Sequence, residues 1–302
     1  MTDIIIIGAG PAGITAAIYA LRAGVSVIVF DSNLYGGQTA ITSQIENYPA
    51  ILSISGALFA QKLYQQAKEL NADIKFEKVV SVNLSTYPKT VTTAKNTYSA
   101  KTILIATGVK RRTLNCEGEK EFTGKGVSYC ATCDGAFFRN KEVMIVGGGN
   151  TALEDALFLS NQCQKVTLVH RRDSFRAEKT LIDAVFARKN ITILYNSQVI
   201  KINGTQTVTS AEISNQKQNT TIPISGIFIA IGYEPDNTMF SDLEINEEGY
   251  IVADESCCTN LKGVFVAGDT RTKPLRQIVT ACADGAVAAV NAVSYIAKTL
   301  KS

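Results

Sequence analysis

Histidine is almost absent from this chain: a single residue, His170, stands among 302. A second cysteine pair is absent as well. Cys130 and Cys133 form a CxxC, whereas Cys116, Cys163, Cys257, Cys258 and Cys282 form no other. Structural zinc takes four cysteine or histidine ligands, commonly from two such pairs, so the composition argues against zinc and no metal is expected. No targeting leader is expected, because Asp3 lies where a secretory signal carries lysine or arginine. Strong charge of either sign is lacking. The net charge of +3 gives no reason to expect nucleic acid or a membrane as partner. The seven cysteines are odd in number and scattered, which suits a reducing cytoplasm better than a secreted disulfide framework.

One uncharged run of 18 residues, Ile4 to Leu21, is long enough to flag a membrane span. Three glycines and Pro11 interrupt it. A buried strand turning into a buried helix explains it better.

What the sequence does hold is a repeat. Residues 3–8 read as a buried strand, followed by Gly8-Ala9-Gly10-Pro11-Ala12-Gly13, an alanine-rich helix to about Ala23, and a strand from Val25 to Phe30 that Asp31 ends. Strand, GxGxxG, helix, strand and acid make the full frame of a dinucleotide fingerprint. The glycines admit a pyrophosphate to the backbone, and the helix N-terminus favours its charge. The series begins again with a strand at Glu142 to Val146, then Gly147-Gly148-Gly149-Asn150-Thr151-Ala152, a helix to about Asn161 and a strand at Val166 to Val169.

The two copies differ at one informative position. Asp31 lies 23 positions after Gly8, and His170 lies 23 after Gly147. An acid in that slot accepts hydrogen bonds from an adenosine ribose. His170, followed by Arg171, Arg172 and Arg176, favours a 2′-phosphate instead, since guanidinium groups grip phosphate bidentately. The second copy is therefore expected to prefer NADPH to NADH, with His170 as a phosphate neighbour.

The remaining pattern completes two domains. Residues 56–70 read as an amphipathic helix, 72–100 as strand-rich, and 102–107 as a buried strand ended by Gly108. Lys110-Arg111-Arg112 reads as a solvated linker. Further buried strands fall at 226–231 and 263–268, the latter before Asp269, and Arg276 and Gln277 open a last helix to about Thr299. The expected fold is α/β, with two Rossmann-like, three-layer, mostly parallel-sheet nucleotide-binding domains. The first is discontinuous, 1–112 plus 238–302, and 113–237 is inserted into it.

Between the two copies stands Cys130-Ala131-Thr132-Cys133-Asp134. Two thiols at this spacing can close as a disulfide and reopen as a dithiol, and a neighbouring carboxylate can handle the proton. A CxxC alone is as readily half of a metal site; two nucleotide signatures around it favour a redox relay. Thiolate is the attacking species, so the relay needs a lowered thiol pKa. Asp134 serves as an acid only if burial raises its own pKa. Its alternative role is a turn residue before Gly135.

Taken in order, Gly8–Gly13, Gly36-Gly37-Gln38, Ala106-Thr107-Gly108, Cys130–Gly135, Gly147–Ala152, His170–Arg176 and Gly268-Asp269 resemble the low-molecular-weight, bacterial-type thioredoxin reductases along nearly the whole chain. The resemblance implies a homodimer that passes a hydride from NADPH to FAD, then electrons to a Cys130–Cys133 disulfide and to oxidised thioredoxin or a thioredoxin-like protein. It implies FAD contacts at Gly8, Gly10, Pro11, Ala12, Gly13, Asp31, Gly36, Gly37, Gln38, Asn47, Gly108, Asp269, Arg276, Gln277 and Ile278. It implies NADPH contacts at Gly147, Gly148, Gly149, Asn150, Thr151, His170, Arg171, Arg172 and Arg176. Cys133 would take electrons from the flavin, Cys130 would attack the partner, and Asp134 would act as acid or base. Hinges would lie near 110–120 and 233–240. Two departures stand out: Ala50 where the family commonly has glycine, and Asn150 where aspartate is frequent. Phe137-Phe138 read equally as docking surface or core. Competing functions are the same chemistry serving a glutaredoxin-like or peroxiredoxin partner, and a non-catalytic NADPH-sensing flavoprotein, which would need no dithiol.

Overall fold

The computed structural model describes residues 1–32, 34–42, 44–215 and 218–299. The chain forms two compact units, residues 1–110 with 234–302, and residues 111–233. The crossings thus fall after Lys110 and before Glu234, a little earlier than the expected Arg112 and Thr238.

In the first unit, Thr2–Ile7 is flanked by Val27–Asp31 and Thr97–Ile105, all parallel. Asp73–Phe76 and Val264–Val266 extend the parallel part, and Lys89–Thr93 and Val79–Asn83 add an antiparallel edge. Ile4, Ile5 and Ile6 are fully buried. A parallel strand covered on both faces has no polar face to show, which is why the first strand reads as an unbroken apolar run. Helix Pro11–Arg22 starts with proline at its first turn, where the missing N–H costs nothing. Helix Gly56–Glu69 is capped by Ser55, whose hydroxyl accepts from the Leu58 N–H at 3.3 Å; such a cap contributes about 1 kcal/mol.

The last helix begins at Ile278, after Arg276 and Gln277 rather than with them. By length and composition Ile278–Lys298 would suit a membrane span. Its Ala281, Ala288, Ala289, Ala292 and Ile296 are buried in one core with Ala12, Ala16 and Ala17 of the first helix.

In the second unit, five parallel strands run in the order Ile191–Leu194, Lys165–Val169, Glu142–Gly147, Gly226–Ala230 and Val127–Ser128. Helix Asn150–Ser160 follows the central strand. A separate three-stranded antiparallel sheet, Gln198–Gly204, Val208–Ser214 and Asn219–Pro223, shares a core with the parallel one and was not anticipated from the sequence. The glycine loop, His170 and the redox pair all follow the C-terminal ends of the parallel strands, where open α/β sheets bind ligands.

Ala50 adopts φ = 69°, so the turn keeps the left-handed backbone that glycine would give it. That conformation costs an L-residue about 1–2 kcal/mol, offset in part by the greater entropy glycine loses on folding. Ala50→Gly is expected to raise the unfolding free energy by about 0.5 kcal/mol in urea titrations. A decrease would show that the alanine methyl stabilises the turn by packing.

Candidate active site

The first glycine loop is built by close approach. Gly8 has φ = 113°, and a Cβ there would lie 2.2 Å from the Ala106 carbonyl oxygen. Its N–H donates to Phe30 O at 2.7 Å. Ala9 N–H donates to Asp31 Oδ2 at 2.7 Å, and Gly36 N–H donates to Ala9 O at 2.8 Å. The Gly8–Gly13 loop, Asp31 and Gly36-Gly37-Gln38 are therefore one assembly. Asn47 Nδ2 donates to Gln277 Oε1 at 3.1 Å, joining residues far apart in sequence.

Asp269 lies in a short turn, Gly268–Thr270, held from both sides. Gly268 N–H donates to Asp284 Oδ2 at 2.9 Å, and that buried carboxylate also receives Arg271 and Lys273. Thr270 Oγ1 donates to Asn237 Oδ1 at 2.8 Å, and Thr107 Oγ1, beside Gly108, donates to Thr270 Oγ1 at 3.2 Å. Arg276 stacks on Tyr250 at 4.0 Å and donates through Nε to Asp269 O at 3.3 Å. Burial pushes the Asp269 carboxyl up to about 6. Among the described residues its buried Oδ1 has no hydrogen-bond partner, a state native proteins avoid unless a ligand or function completes it. An unsatisfied acceptor beside a helix start and a glycine loop fits an extended nucleotide cofactor such as FAD. Asp284, Arg271 and Asn237 carry no motif and were not foreseen.

The second loop is assembled similarly. A Cβ on Gly148 would lie 2.2 Å from the His170 ring. His170 is 8% exposed, and its Nε2 lies 3.0 Å from Ser174 O. Burial lowers its pKa, and Arg172 and Arg171 push in the same direction, against backbone hydrogen bonds. The ring thus supports the loop as a neutral group. Arg176 N–H donates to Gly148 O at 2.7 Å. Asn150 Oδ1 accepts from Glu178 N–H at 2.9 Å, and its Nδ2 donates to Glu178 Oε1 at 3.1 Å. The 171–178 segment is thereby stapled to Gly147–Thr151. Arg171 and Arg176 are exposed and Arg172 half-buried. Among the described residues none of the three makes an ion pair, so their charge is free for an anion.

Cys130 and Cys133 form a disulfide, with Sγ–Sγ 2.05 Å and Cα–Cα 5.3 Å. Cys130 caps the single helical turn Ala131–Asp134, and Cys133 N–H donates to Cys130 Sγ at 3.2 Å. Asp134 Oδ2 accepts from the Ser128 hydroxyl at 2.6 Å, while its buried Oδ1 has no partner among the described residues. Burial raises the Asp134 pKa, and the Ser128 hydrogen bond opposes it. Tyr129 is clamped by its neighbours: its OH donates to Glu119 Oε1 at 2.7 Å, its carbonyl accepts from Tyr233 OH at 3.3 Å, and Arg111 lies over its ring at 4.0 Å. Arg111, read from sequence as a solvated linker residue, is thus packed on an aromatic ring beside the redox pair. Phe138 is buried against Phe228, whereas Phe137 is 42% exposed, so the two phenylalanines take different roles. Burial pushes the thiols of Cys116 and Cys163 up to about 11 and that of Cys257 up to about 12, which leaves them protonated and unreactive. Among the described residues no group of three metal-ligating side chains occurs.

The pattern of the pyridine nucleotide-disulphide oxidoreductases matches residues 2–285. A thioredoxin reductase of Listeria monocytogenes is 43% identical over 99% of this chain and 95% of its own. The crystal structure of thioredoxin reductase from Streptococcus pyogenes superposes with a TM-score of 0.94 at 42% identity, covering 99% of both chains. The solved structure of thioredoxin reductase from Giardia duodenalis gives 0.94 at 37% identity, over 98% of this chain and 99% of its own.

Asn150→Asp replaces a donor to Glu178 with a second carboxylate. Hydrogen exchange across 171–178 is expected to speed up by about tenfold, the equivalent of losing one hydrogen bond to a charged group. Unchanged exchange would show that the staple does not hold the segment.

Proposed function

This chain belongs to the pyridine nucleotide-disulphide oxidoreductase family and, within it, to the thioredoxin reductases, and from that premise we propose that it reduces a thioredoxin disulfide with electrons from NADPH carried through FAD. The observation that carries the reading is the Cys130–Cys133 disulfide beside a half-buried carboxyl, in a chain with two separate dinucleotide loops.

When bound, FAD supplies a two-electron carrier between a nicotinamide and a disulfide. The Gly8–Gly13 loop, Asp31, Gly36-Gly37-Gln38, Asn47, Gly108 and Asp269 with Arg276–Ile278 would hold it, the unpartnered Asp269 Oδ1 accepting one of its polar hydrogens. Gly147–Thr151 would hold NADPH. Arg171, Arg172 and Arg176 would surround its 2′-phosphate, and His170 would keep their loop in place.

Two electrons entering the pair break its S–S bond and leave two sulfur anions. Asp134, whose carboxyl burial shifts toward the protonated form, would give its proton to one of them. The Cys133 N–H favours negative charge on Cys130 Sγ, which suits Cys130 to attack the partner disulfide. Cys133 then gives up its proton and resolves the mixed disulfide as a thiolate, which restores the pair and releases the partner with both its sulfurs reduced, to be protonated from that proton and from solvent. Exposed Phe137 offers an apolar contact for that partner. Val279, Val287 and Val290 are exposed on one face of the last helix, and we assign to them part of a homodimer surface. Five further unpaired cysteines suit a cytoplasmic enzyme.

Cys130→Ser and Cys133→Ser are each expected to abolish thioredoxin reduction and leave flavin absorbance intact. Turnover by either variant would rule out the relay. Neutralising Arg171, Arg172 and Arg176 together is expected to weaken NADPH binding by at least about 100-fold, at a tenfold loss or more per charged hydrogen bond, with little change for NADH. Equal losses for the two nucleotides in calorimetric titrations would remove the 2′-phosphate from these arginines.

A further inference from the structure

Ser128 ends the edge strand Val127–Ser128, pairs with Phe228 and is 5% exposed. Its hydroxyl has one proton and two acceptors in reach, Asp134 Oδ2 at 2.6 Å and Cys130 O at 3.3 Å. The shorter contact takes the proton. The same oxygen accepts from Cys130 N–H at 3.1 Å. Asp134 N–H in turn donates to Cys130 O at 3.1 Å. One buried hydroxyl thus joins the carboxyl to the residue that carries a redox sulfur.

The arrangement treats the two carboxyl oxygens differently. Oδ2 is engaged by Ser128, and Oδ1 is buried and unpartnered. We infer that Ser128 is a positioning residue of the redox centre: it holds Asp134 through Oδ2, leaves Oδ1 to carry the exchangeable proton, and keeps the acid in register with Cys130. The inference rests on the proton-donor role proposed above for Asp134. Before transfer, Asp134 is a carboxylic acid with its proton on Oδ1. Afterwards it is a carboxylate, the sulfur is a thiol, and the Ser128 hydrogen bond is strengthened by the new charge. The next proton taken up restores the acid.

The surroundings leave Ser128 little competition. Phe158, Leu159 and Gln162, all neutral, face the turn at Gly135. Cys130 and Cys133 are the titratable groups on the turn itself. Burial and the Ser128 hydroxyl act on the Asp134 carboxyl, and among the described residues no charged side chain adds to them.

The test uses FAD-loaded, full-length protein in four forms: parent, Ser128→Ala, Ser128→Thr and Asp134→Asn. Stopped-flow absorbance follows one transfer of electrons from NADPH-reduced flavin into the disulfide across pH. An acid must be protonated to act, so the parent rate falls as pH rises through the Asp134 titration. Ser128→Ala removes a hydrogen bond to the charged form, so the falling limb is expected at higher pH. Its low-pH plateau is expected to drop about tenfold, a fraction of what a positioned acid contributes. Ser128→Thr is expected to restore both. Infrared difference spectra of the parent protein, independent of any variant's folding, should show the Asp134 C=O stretch at a hydrogen-bonded frequency. A limb and plateau unchanged in Ser128→Ala, with the limb lost in Asp134→Asn, would overturn the role of Ser128 alone, as would a free C=O stretch. A limb that survives in Asp134→Asn would overturn the acid role of Asp134, and this inference with it.

Discussion

Cys130 caps the one helical turn that carries Cys133, and this makes the two sulfurs unequal. The Cys133 amide points at Cys130 Sγ, so negative charge after reduction is better tolerated there. The same turn brings Asp134 round to Ser128, which also receives the Cys130 amide. Sulfur polarity, the placement of the carboxyl and backbone register therefore depend on a few bonds within residues 128–134. The clamp on Tyr129 from Glu119, Tyr233 and Arg111 fixes the segment that leads into that turn.

The two nucleotide loops use one construction twice and diverge at the strand end. In the first, Asp31 takes the amide of Ala9. In the second, the corresponding His170 is a buried neutral support, and the charge comes from the arginines after it. Under the proposed function, the strand end and the residues after it would decide which nucleotide each loop takes, because glycine loops recognise only what every dinucleotide has in common.

Much of this was legible in the sequence because it is local and periodic. GxGxxG followed by an apolar helix, the equal 23-residue counts to Asp31 and His170, and the Cys130–Asp134 string each place chemistry within a short window. What was not legible depends on partners brought together by folding. Ser128 is an ordinary strand serine until Asp134 is folded back against it. Asn150 read only as a departure from the family's aspartate, because its partner, Glu178, is distant in sequence. Arg111 looked solvated because the ring of Tyr129 cannot be seen from a run of basic residues. The Gln198–Pro223 sheet was missed because short mixed-polarity strands give weak alternation. His170 follows its strand, and its burial against Gly148 follows from three-dimensional packing.

The most direct test of the electron path is an anaerobic titration of the purified protein, first with NADH and then with NADPH, followed by oxidised thioredoxin. Flavin absorbance reports each step. The account predicts bleaching by NADPH in preference to NADH and recovery of colour when thioredoxin is added. A flavin that bleaches with NADPH and stays bleached with thioredoxin would contradict the proposed partner, and one that neither nucleotide bleaches would contradict the path itself.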